Sequence, residues 1–183
     1  GAFTDELDYT YTQKSYQAGI RNEINIGKTR LNILYSYNDI NRLYIDDSIK
    51  SRNGFDIYSR GSYNGGEHFT DVYLIIPIHN NSKLTAGADF RSSHSDQEYF
   101  STGFFGPYST KYSADSLHQK QAGIYTAFAI NAKSGFTMEL GSRINFHSEY
   151  GSIHVFNINP SYLLRKKAKF FFNFSNAYRT PSL

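Results

Sequence analysis

The fold is decided by a two-residue alternation that is clearest in one stretch, Phe136–Glu149, which reads FTMELGSRINFHSE. Because successive side chains of a β-strand point to opposite faces, such a pattern predicts a strand with one apolar and one polar face. Only Ser142 interrupts the apolar set. The apolar set is Phe136, Met138, Leu140, Ile144 and Phe146, and the other set is Thr137, Glu139, Gly141, Arg143, Asn145, His147 and Glu149.

The same alternation recurs along nearly the whole chain and predicts about eight strands. No segment of comparable length has a helical period, so the predicted fold class is all-β, an antiparallel up-and-down meander. Many of the strands exceed the roughly 5–6 residues usual in globular sheets, and a membrane-spanning strand needs about 9–11. The predicted strands are Tyr16–Ile26, Thr29–Ile45, Phe69–Ile78, Lys83–Gln97, His118–Ile130, Phe136–Tyr150, Ser152–Leu164 and Lys169–Arg179.

The predicted connections alternate between short and long. Short turns with glycine, asparagine or lysine follow the first, third, fifth and seventh strands. Longer links are predicted at Asp46–His68 and Glu98–Leu117, whereas the link at Tyr150–Gly151 is short where a long one is due. Short turns at one end and long loops at the other are typical of a transmembrane β-barrel of the outer membrane.

Alternation alone does not separate a barrel with lipid outside from a soluble sheet with a buried apolar face, so a large soluble antiparallel β protein is the alternative. Strand length favours the membrane, as does the crowding of tyrosine and phenylalanine at strand ends, where half-wet rings suit a lipid–water boundary. These strand-end aromatic residues are Tyr9, Tyr11, Tyr35, Tyr37, Tyr44, Tyr99, Phe100, Phe146, Tyr150 and Tyr162.

Composition excludes several classes of protein. The chain has no cysteine, which excludes disulfides and thiolate metal sites. The net charge is +3 with scattered basic residues, so no basic face suited to nucleic acid is expected. Only 19% of residues are charged, against about 25% in ordinary domains, while 17% are aromatic, which is too many for a disordered chain.

The C-terminal residues resemble a signature of TonB-dependent outer-membrane receptors. In that family an Asn-Pro strand, a short periplasmic turn and a strand ending in Gly-Phe-Arg-Ala-Pro-Ser-Leu follow one another. Here Asn159-Pro160 is followed by a basic turn and by Ala177-Tyr178-Arg179-Thr180-Pro181-Ser182-Leu183, in which Ala177, Tyr178 and Thr180 depart from the pattern. The stretches Gly54–Tyr63 and Ala86–Arg91 resemble mid-barrel sequence of vitamin B12 and siderophore receptors, most like those of Bacteroidetes.

This resemblance implies a bacterial outer-membrane location and a larger protein. Receptors of this kind have a plugged barrel of 22 strands. Residues 1–183 are therefore expected to be a partial barrel domain, without the plug and without the barrel's C-terminus. The implied partners are the TonB complex through the absent plug, outer-membrane lipid, a small-molecule ligand (siderophore, cobalamin or haem), and either the remainder of the receptor or a second copy to pair the open sheet edges.

The candidate functional residues fall in two sets. Aromatic residues of the predicted link Glu98–Leu117 are expected to grip a ligand by flat apolar contact with a polar tip, and residues on polar strand faces are expected to face the barrel lumen. The ligand set is Tyr99, Phe100, Phe104, Phe105, Tyr108 and Tyr112, and the lumen set is Arg91, Glu139, Arg143 and His147.

No catalytic arrangement, metal site or cofactor is predicted, so the protein is not expected to be an enzyme. His147, Glu149 and Glu139 share a strand face, but a charged wall lining water accounts for them. The function predicted is that of a barrel segment in a TonB-dependent importer of a scarce ligand. The alternative is a self-contained eight-stranded barrel, either adhesin-like or a lipocalin-like binder, because eight strands suffice for closure.

Overall fold

The structure, a computed structural model, describes residues 9–47, 58–103, 105–165 and 167–178. Throughout these ranges the regular structure is antiparallel β-strand, so the predicted all-β meander is confirmed. Within them no helix has the length and apolar character needed to cross a membrane. The ten strands are β1 (Tyr9–Ile26), β2 (Thr29–Asp46), β3 (Tyr58–His79), β4 (Ser82–Gly103), β5 (Gly106–Tyr112), β6 (His118–Asn131), β7 (Phe136–His147), β8 (Gly151–Leu164), β9 (Ala168–Phe171) and β10 (Phe174–Ser175).

The ten strands occupy eight positions across a single sheet, which is the number of strands predicted. β5 and β6 follow one another along the same edge of β4, with β5 beside Gln97–Gly103 and β6 beside Ser82–His94. β9 and β10 likewise follow one another along β8. The order across the sheet is β1-β2-β3-β4-β6-β7-β8-β10, so neighbours in sequence are neighbours in space.

Both predicted long links contain strand. β3 begins at Tyr58 rather than Phe69, and the predicted link Glu98–Leu117 is the end of β4 followed by β5, an extended hairpin. Gly66, which reads as a turn residue in sequence, lies in β3 beneath a ring. A Cβ there would lie 2.5 Å from Cε1 of His94 on the adjacent strand. Glycine in this strand thus marks a close approach rather than a turn.

Other strand limits also differ from the prediction. β1 begins at Tyr9 rather than Tyr16, and β7 ends at His147 rather than Tyr150. The final predicted strand, Lys169–Arg179, is divided into β9 and β10. The C-terminal motif residues Arg179, Thr180, Pro181, Ser182 and Leu183 lie outside the described residues.

Tight turns join the strands at one end of the sheet. Gly27, between β1 and β2, has a φ of 62°, and Gly135, before β7, has a φ of 91°. Such left-handed backbone favours glycine because it lacks a Cβ. The β3–β4 turn at Asn80–Asn81 and the β8–β9 turn lie at this same end, hereafter the short-turn end. At the other end, β7 and β8 are joined by the short link 148–150.

The register assigns every strand residue to one of two faces, because directly paired residues of neighbouring strands share a face. One face is polar and follows rows such as Asp71↔Asp89↔Gly123↔Asn145. The other is apolar near the short turns and follows rows such as Val72↔Ala88↔Ile124↔Ile144. Among the described residues no hydrophobic side chain is buried, so this sheet alone encloses no apolar core.

Candidate functional site

The polar face bears the cavities lined by Arg42 and Tyr63, by Arg143 and by Glu139, and we call it the concave face. It carries all four residues predicted to face a lumen. Arg91 pairs through Gln121 with His147, which places these two side chains on one face. Arg143 and Glu139 lie on the same face of β7. The face has two distinct regions, a cleft remote from the short turns and a hydrogen-bonded network nearer to them.

The upper cleft, as we name the first region, is a concavity of about 720 Å³ built mainly on β2, β3 and β4. Its wall combines tyrosine rings with amide, hydroxyl and charged side chains, so it offers flat apolar surfaces beside hydrogen-bonding groups. The residues that line the cleft include Tyr9, Arg42, Tyr44, Tyr63, Gln97 and Tyr99.

Tyrosine rings in the cleft contact one another across β1, β2 and β3. Tyr44 lies with its ring centroid 4.8 Å from that of Tyr11 and 6.2 Å from that of Tyr9. On its other side Tyr63 meets it edge to face at 5.6 Å. Such ring pairs hold their members in fixed positions, so the cluster presents a preformed aromatic surface.

These tyrosines correct part of the sequence-based interpretation. Their position at strand ends predicts a lipid boundary for Tyr9, Tyr11, Tyr44 and Tyr99, but the strand register places them on the concave polar face. The sequence does distinguish the two faces. Residues an odd number of positions apart in a strand point to opposite sides, and Tyr44 is an odd number of positions from Tyr35 and Tyr37, which point outward. Strand-end position alone did not distinguish the two faces.

The charged groups of the cleft differ in their partners. Glu67 accepts a hydrogen bond from Ser93 at 3.1 Å and lies 3.8 Å from Nε of Arg91. Arg42 is exposed and belongs to none of the ion pairs formed among the described residues. The cleft therefore holds one guanidinium with its charge available to a bound group.

Tyr9 contributes a neutral hydroxyl to the rim of the cleft. Desolvation raises the pKa of Tyr9 above its ordinary value, and Tyr44 and Asp46 raise it further. The phenol thus stays protonated at neutral pH and can donate a hydrogen bond to a ligand acceptor.

The structure divides the predicted ligand aromatics between two faces. Tyr99 lines the cleft, and the ring centroid of Tyr108 lies 6.3 Å from that of Tyr99. Tyr112 pairs with Gln97 and lies on the same face as Tyr99 and Tyr108. Phe100 lies on the opposite face, with its ring 6.2 Å from that of Tyr58.

The remaining two predicted aromatics belong to the turn between β4 and β5. Phe105 is fully exposed there. Phe104 lies outside the described residues.

The second region is a network in which long side chains cross the intervening strand. Arg143 of β7 reaches across β6 and places Nη1 2.6 Å from Oδ2 of Asp89 and Nη2 2.9 Å from its Oδ1. Tyr125 of β6 reaches across β4 and donates its hydroxyl to Oδ1 of Asp71 at 2.7 Å. Two polar bridges thus tie β3, β4, β6 and β7 together on the concave face.

Glycines lie beneath both bridges. A Cβ at Gly87 would lie 2.7 Å from Cζ of Tyr125, and one at Gly123 would overlap the guanidinium of Arg143. Glycine is therefore required at both positions for the side chains to cross the sheet.

His147 is held by structural contacts. It is 7% exposed, accepts a hydrogen bond from the backbone N–H of Glu149 at 3.0 Å and lies 3.3 Å from Oε1 of Gln119. Across the described ranges, no group of three or more His, Cys, Asp or Glu side chains is arranged to hold a metal ion.

Comparison with known proteins finds similarity of structure. No protein-family model and no curated protein matches the chain. Solved structures of the RagAB peptide importer in its "open-open" state match with a TM-score of 0.58 at 11% identity, and the RagAB peptide transporter with 0.51 at 10%. The RagAB importer in its "closed-closed" state matches with 0.50 at 9%.

Each match covers 87% of this chain and 21% of the other, so the chain spans about a fifth of the length of the solved chains it matches. At these identities the likeness concerns the fold. The long antiparallel meander of this chain is a sheet architecture that also occurs in those transport proteins.

Proposed function

We propose that this chain forms part of the wall of a transport barrel in the bacterial outer membrane. The observation that carries the proposal is the division of one sheet into a concave polar face and an apolar band beginning at the short turns. On β6 the band runs from Ile130 to Ala122, about nine residues, close to the length of a membrane-spanning strand. Structural similarity to the RagAB peptide importer supports a role in transport.

We infer further that the upper cleft contacts the ligand before it passes the barrel. Tyr44, Tyr63 and Tyr99 supply flat rings with hydroxyl tips. Arg42, which forms no ion pair with any residue that the structure describes, supplies a positive charge. This combination suits a ligand that joins apolar surface, hydrogen-bonding groups and a negative charge. A short peptide with a free carboxylate has all three, and the RagAB proteins of similar fold are peptide importers.

A siderophore, cobalamin or haem remains the ligand class implied by the resemblance to TonB-dependent receptors. In either case the proposed mechanism is capture by the cleft, followed by passage along the polar face when the TonB complex acts on a plug. We propose that this chain contributes wall and capture surface, and that its role is not enzymatic.

The sheet edges require partners under this proposal. β1 is exposed along its whole length and pairs with β2 alone among the described strands. Unpaired backbone groups in lipid cost several kcal/mol each. We propose that further barrel strands, from the remainder of the receptor or a second copy, pair both edges. A self-contained eight-stranded barrel would instead join β1 to the strands at the β8 edge, and no such pairing is formed within the described ranges.

Ligand retention tests the proposed role. The purified protein in detergent micelles is equilibrated with a tryptic peptide mixture, a ferric siderophore, cobalamin and haemin, then washed, and retained compounds are identified by mass spectrometry. We expect peptides to be retained and Tyr99→Ala to reduce retention at least about fivefold, whereas the neighbouring Phe100→Ala, on the opposite face, leaves it unchanged. Equal loss in both variants, or retention of no compound, contradicts the proposal.

A further inference from the structure

The apolar face ends at a common height, and basic or imidazole side chains follow it. On β1 the outward row runs through Ile20, Ala18 and Tyr16 to Lys14, and on β6 it runs through Ile124 and Ala122 to Lys120. We call the residues at this position the basic belt. Counting from the short-turn end along the outward face, the first ionisable residue other than tyrosine is Lys14 in β1, His68 in β3, His94 in β4, Lys120 in β6 and His154 in β8.

The belt lies where the far edge of a lipid core would be. Each of its five residues is about 12 residues from the adjacent short turn. A strand rises about 3.3 Å per residue, and with a tilt near 40° it climbs roughly 30 Å over that distance. This height matches the hydrocarbon thickness of a bilayer, about 30 Å.

Tyrosine rings border the belt on its apolar side. The hydroxyl of Tyr35 lies 2.8 Å from Nδ1 of His68, and the ring centroid of Tyr37 lies 4.8 Å from that of His68. Tyr16, two residues from Lys14, is 67% exposed. Tyrosine girdles of this kind mark the interface of transmembrane barrels.

The two lysine charges of the basic belt, on Lys14 and Lys120, have no acidic partner among the described residues. All five side chains are exposed, and none belongs to an ion pair formed within the described part of the chain. In β2 the residue at the corresponding outward position is acidic. It is Asp39, which accepts hydrogen bonds from Asn41 at 2.8 Å and from Tyr37 at 3.4 Å. Farther from the band, Asp96 accepts the N–H of Ala114.

We propose, on the basis of the membrane location inferred above, that the basic belt binds the phosphate groups of lipids in the leaflet remote from the short turns. The two ammonium groups supply charge. The imidazoles can add N–H donors through the ring nitrogens that do not contact Tyr35, at 2.8 Å from Nδ1 of His68, or Ser142, at 2.9 Å from Nε2 of His154. Cationic side chains near an anionic membrane surface attract it, and those on neighbouring strands of one sheet can contact a single phosphorylated headgroup together.

Lipid binding by paired variants tests this proposal. The purified protein in neutral detergent is titrated with lipid A and with the same lipid after enzymatic removal of its phosphates, and bound lipid is counted by native mass spectrometry. We expect Lys14→Gln combined with Lys120→Gln to weaken binding of lipid A roughly 10-fold or more. The dephosphorylated lipid should bind the variant and the parent protein alike.

Lys83→Gln removes one positive charge from the concave face of β4, so it is the matched control for Lys14→Gln and Lys120→Gln taken singly. It should leave lipid A affinity within about twofold of the parent protein. An equal loss of affinity in this control, or equal affinity of the parent protein for the two lipids, contradicts the proposal that the basic belt binds lipid phosphates. Inorganic phosphate at millimolar concentration should compete weakly, since the site is formed for a membrane-anchored group.

The two proposals fail in different ways. Binding of both lipids without preference for phosphate refutes the belt and leaves the membrane location intact. A protein that stays monodisperse without detergent and takes up neither lipid refutes the membrane location, and with it the belt.

Discussion

Arg143 holds Asp89 across an intervening strand, with two parallel contacts of 2.6 and 2.9 Å between guanidinium and carboxylate. The carboxylate side chain is 10% exposed and the guanidinium side chain 35%. Two-pronged contacts of this kind are the strongest geometry open to an arginine and a carboxylate. The pair ties β4 to β7 on the concave face, where the described residues form no apolar core to stabilise the sheet.

The Arg143–Asp89 pair should be energetically coupled. We expect Arg143→Gln and Asp89→Asn each to destabilise the protein, and the double variant to lose less than the sum, with a coupling energy of roughly 1–3 kcal/mol. Urea unfolding in micelles, followed by tyrosine fluorescence, gives the double-mutant cycle. The exposed pair Lys111–Glu98, 3.8 Å apart, is the control and should give a coupling below about 0.5 kcal/mol.

Gly123→Ala should break the contact between Arg143 and Asp89, because the Arg143 side chain passes over Gly123. The added Cβ overlaps the guanidinium, so Arg143 must leave Asp89, and we expect a loss of roughly 1–3 kcal/mol in unfolding free energy. Gly19→Ala is the matched control, because its Cβ would meet only ordinary contacts, the nearest being the carbonyl oxygen of Tyr35 at 3.4 Å. Equal stability of the two variants would show that the bridge contributes nothing measurable.

Tyr125→Phe removes a hydroxyl and leaves the ring over Gly87. Asp71 then loses its donor, so we expect a destabilisation of about 1 kcal/mol, typical of one hydrogen bond. Tyr16→Phe, at an exposed outward position, should change the unfolding free energy by less than about 0.5 kcal/mol. Urea unfolding midpoints of the two variants and the parent protein give the comparison. Equal midpoints for Tyr125→Phe and Tyr16→Phe would show that the hydrogen bond from Tyr125 to Asp71 does not stabilise the protein.

The two faces and the strand number could be predicted from sequence because alternation depends only on which neighbours are apolar. The lengths of β3 and β4 could not. Gly61, Gly65 and Gly66 have the composition of a loop. The ring of His94, 28 residues from Gly66 in sequence, occupies the space that a Cβ at Gly66 would need, and this explains a glycine within the strand. Information of that kind resides in pairing between strands.

Part of the candidate site could also be predicted from sequence, and part could not. Arg91, Glu139, Arg143 and His147 share a face because they share odd parity within paired strands, which the sequence reveals. Tyr99 and Phe100, both predicted to contact a ligand, lie on opposite faces, since adjacent strand residues point in opposite directions. The contribution of Tyr44 and Arg42 depends on the register of β2 against β3, which no local pattern specifies.

Arg42→Gln should weaken binding of ligands with a free carboxylate. The group is exposed, so we expect a loss of roughly 3- to 10-fold in affinity, near 1 kcal/mol as for other solvated ion pairs. Isothermal titration with a peptide and with its C-terminally amidated form separates charge from contact area. Arg30→Gln is the control, because Arg30 already pairs with Glu23 at 3.2 Å, and it should bind both peptides like the parent protein.

The face assignment itself is tested by one substitution at two matched positions. Ala86 of β4 and Ala127 of β6 lie on adjacent strands at nearly the same height above the short turns, with Ala86 on the apolar face and Ala127 on the concave face. Arginine on the lipid face near the bilayer midplane costs about 2–4 kcal/mol, whereas a water-lined position accepts it. We therefore expect Ala86→Arg to lower the unfolding free energy in lipid vesicles by that amount and Ala127→Arg by less than about 1 kcal/mol. Because the two variants carry the same side chain and the same charge, a reversed order would place lipid against the polar face and refute the proposed orientation.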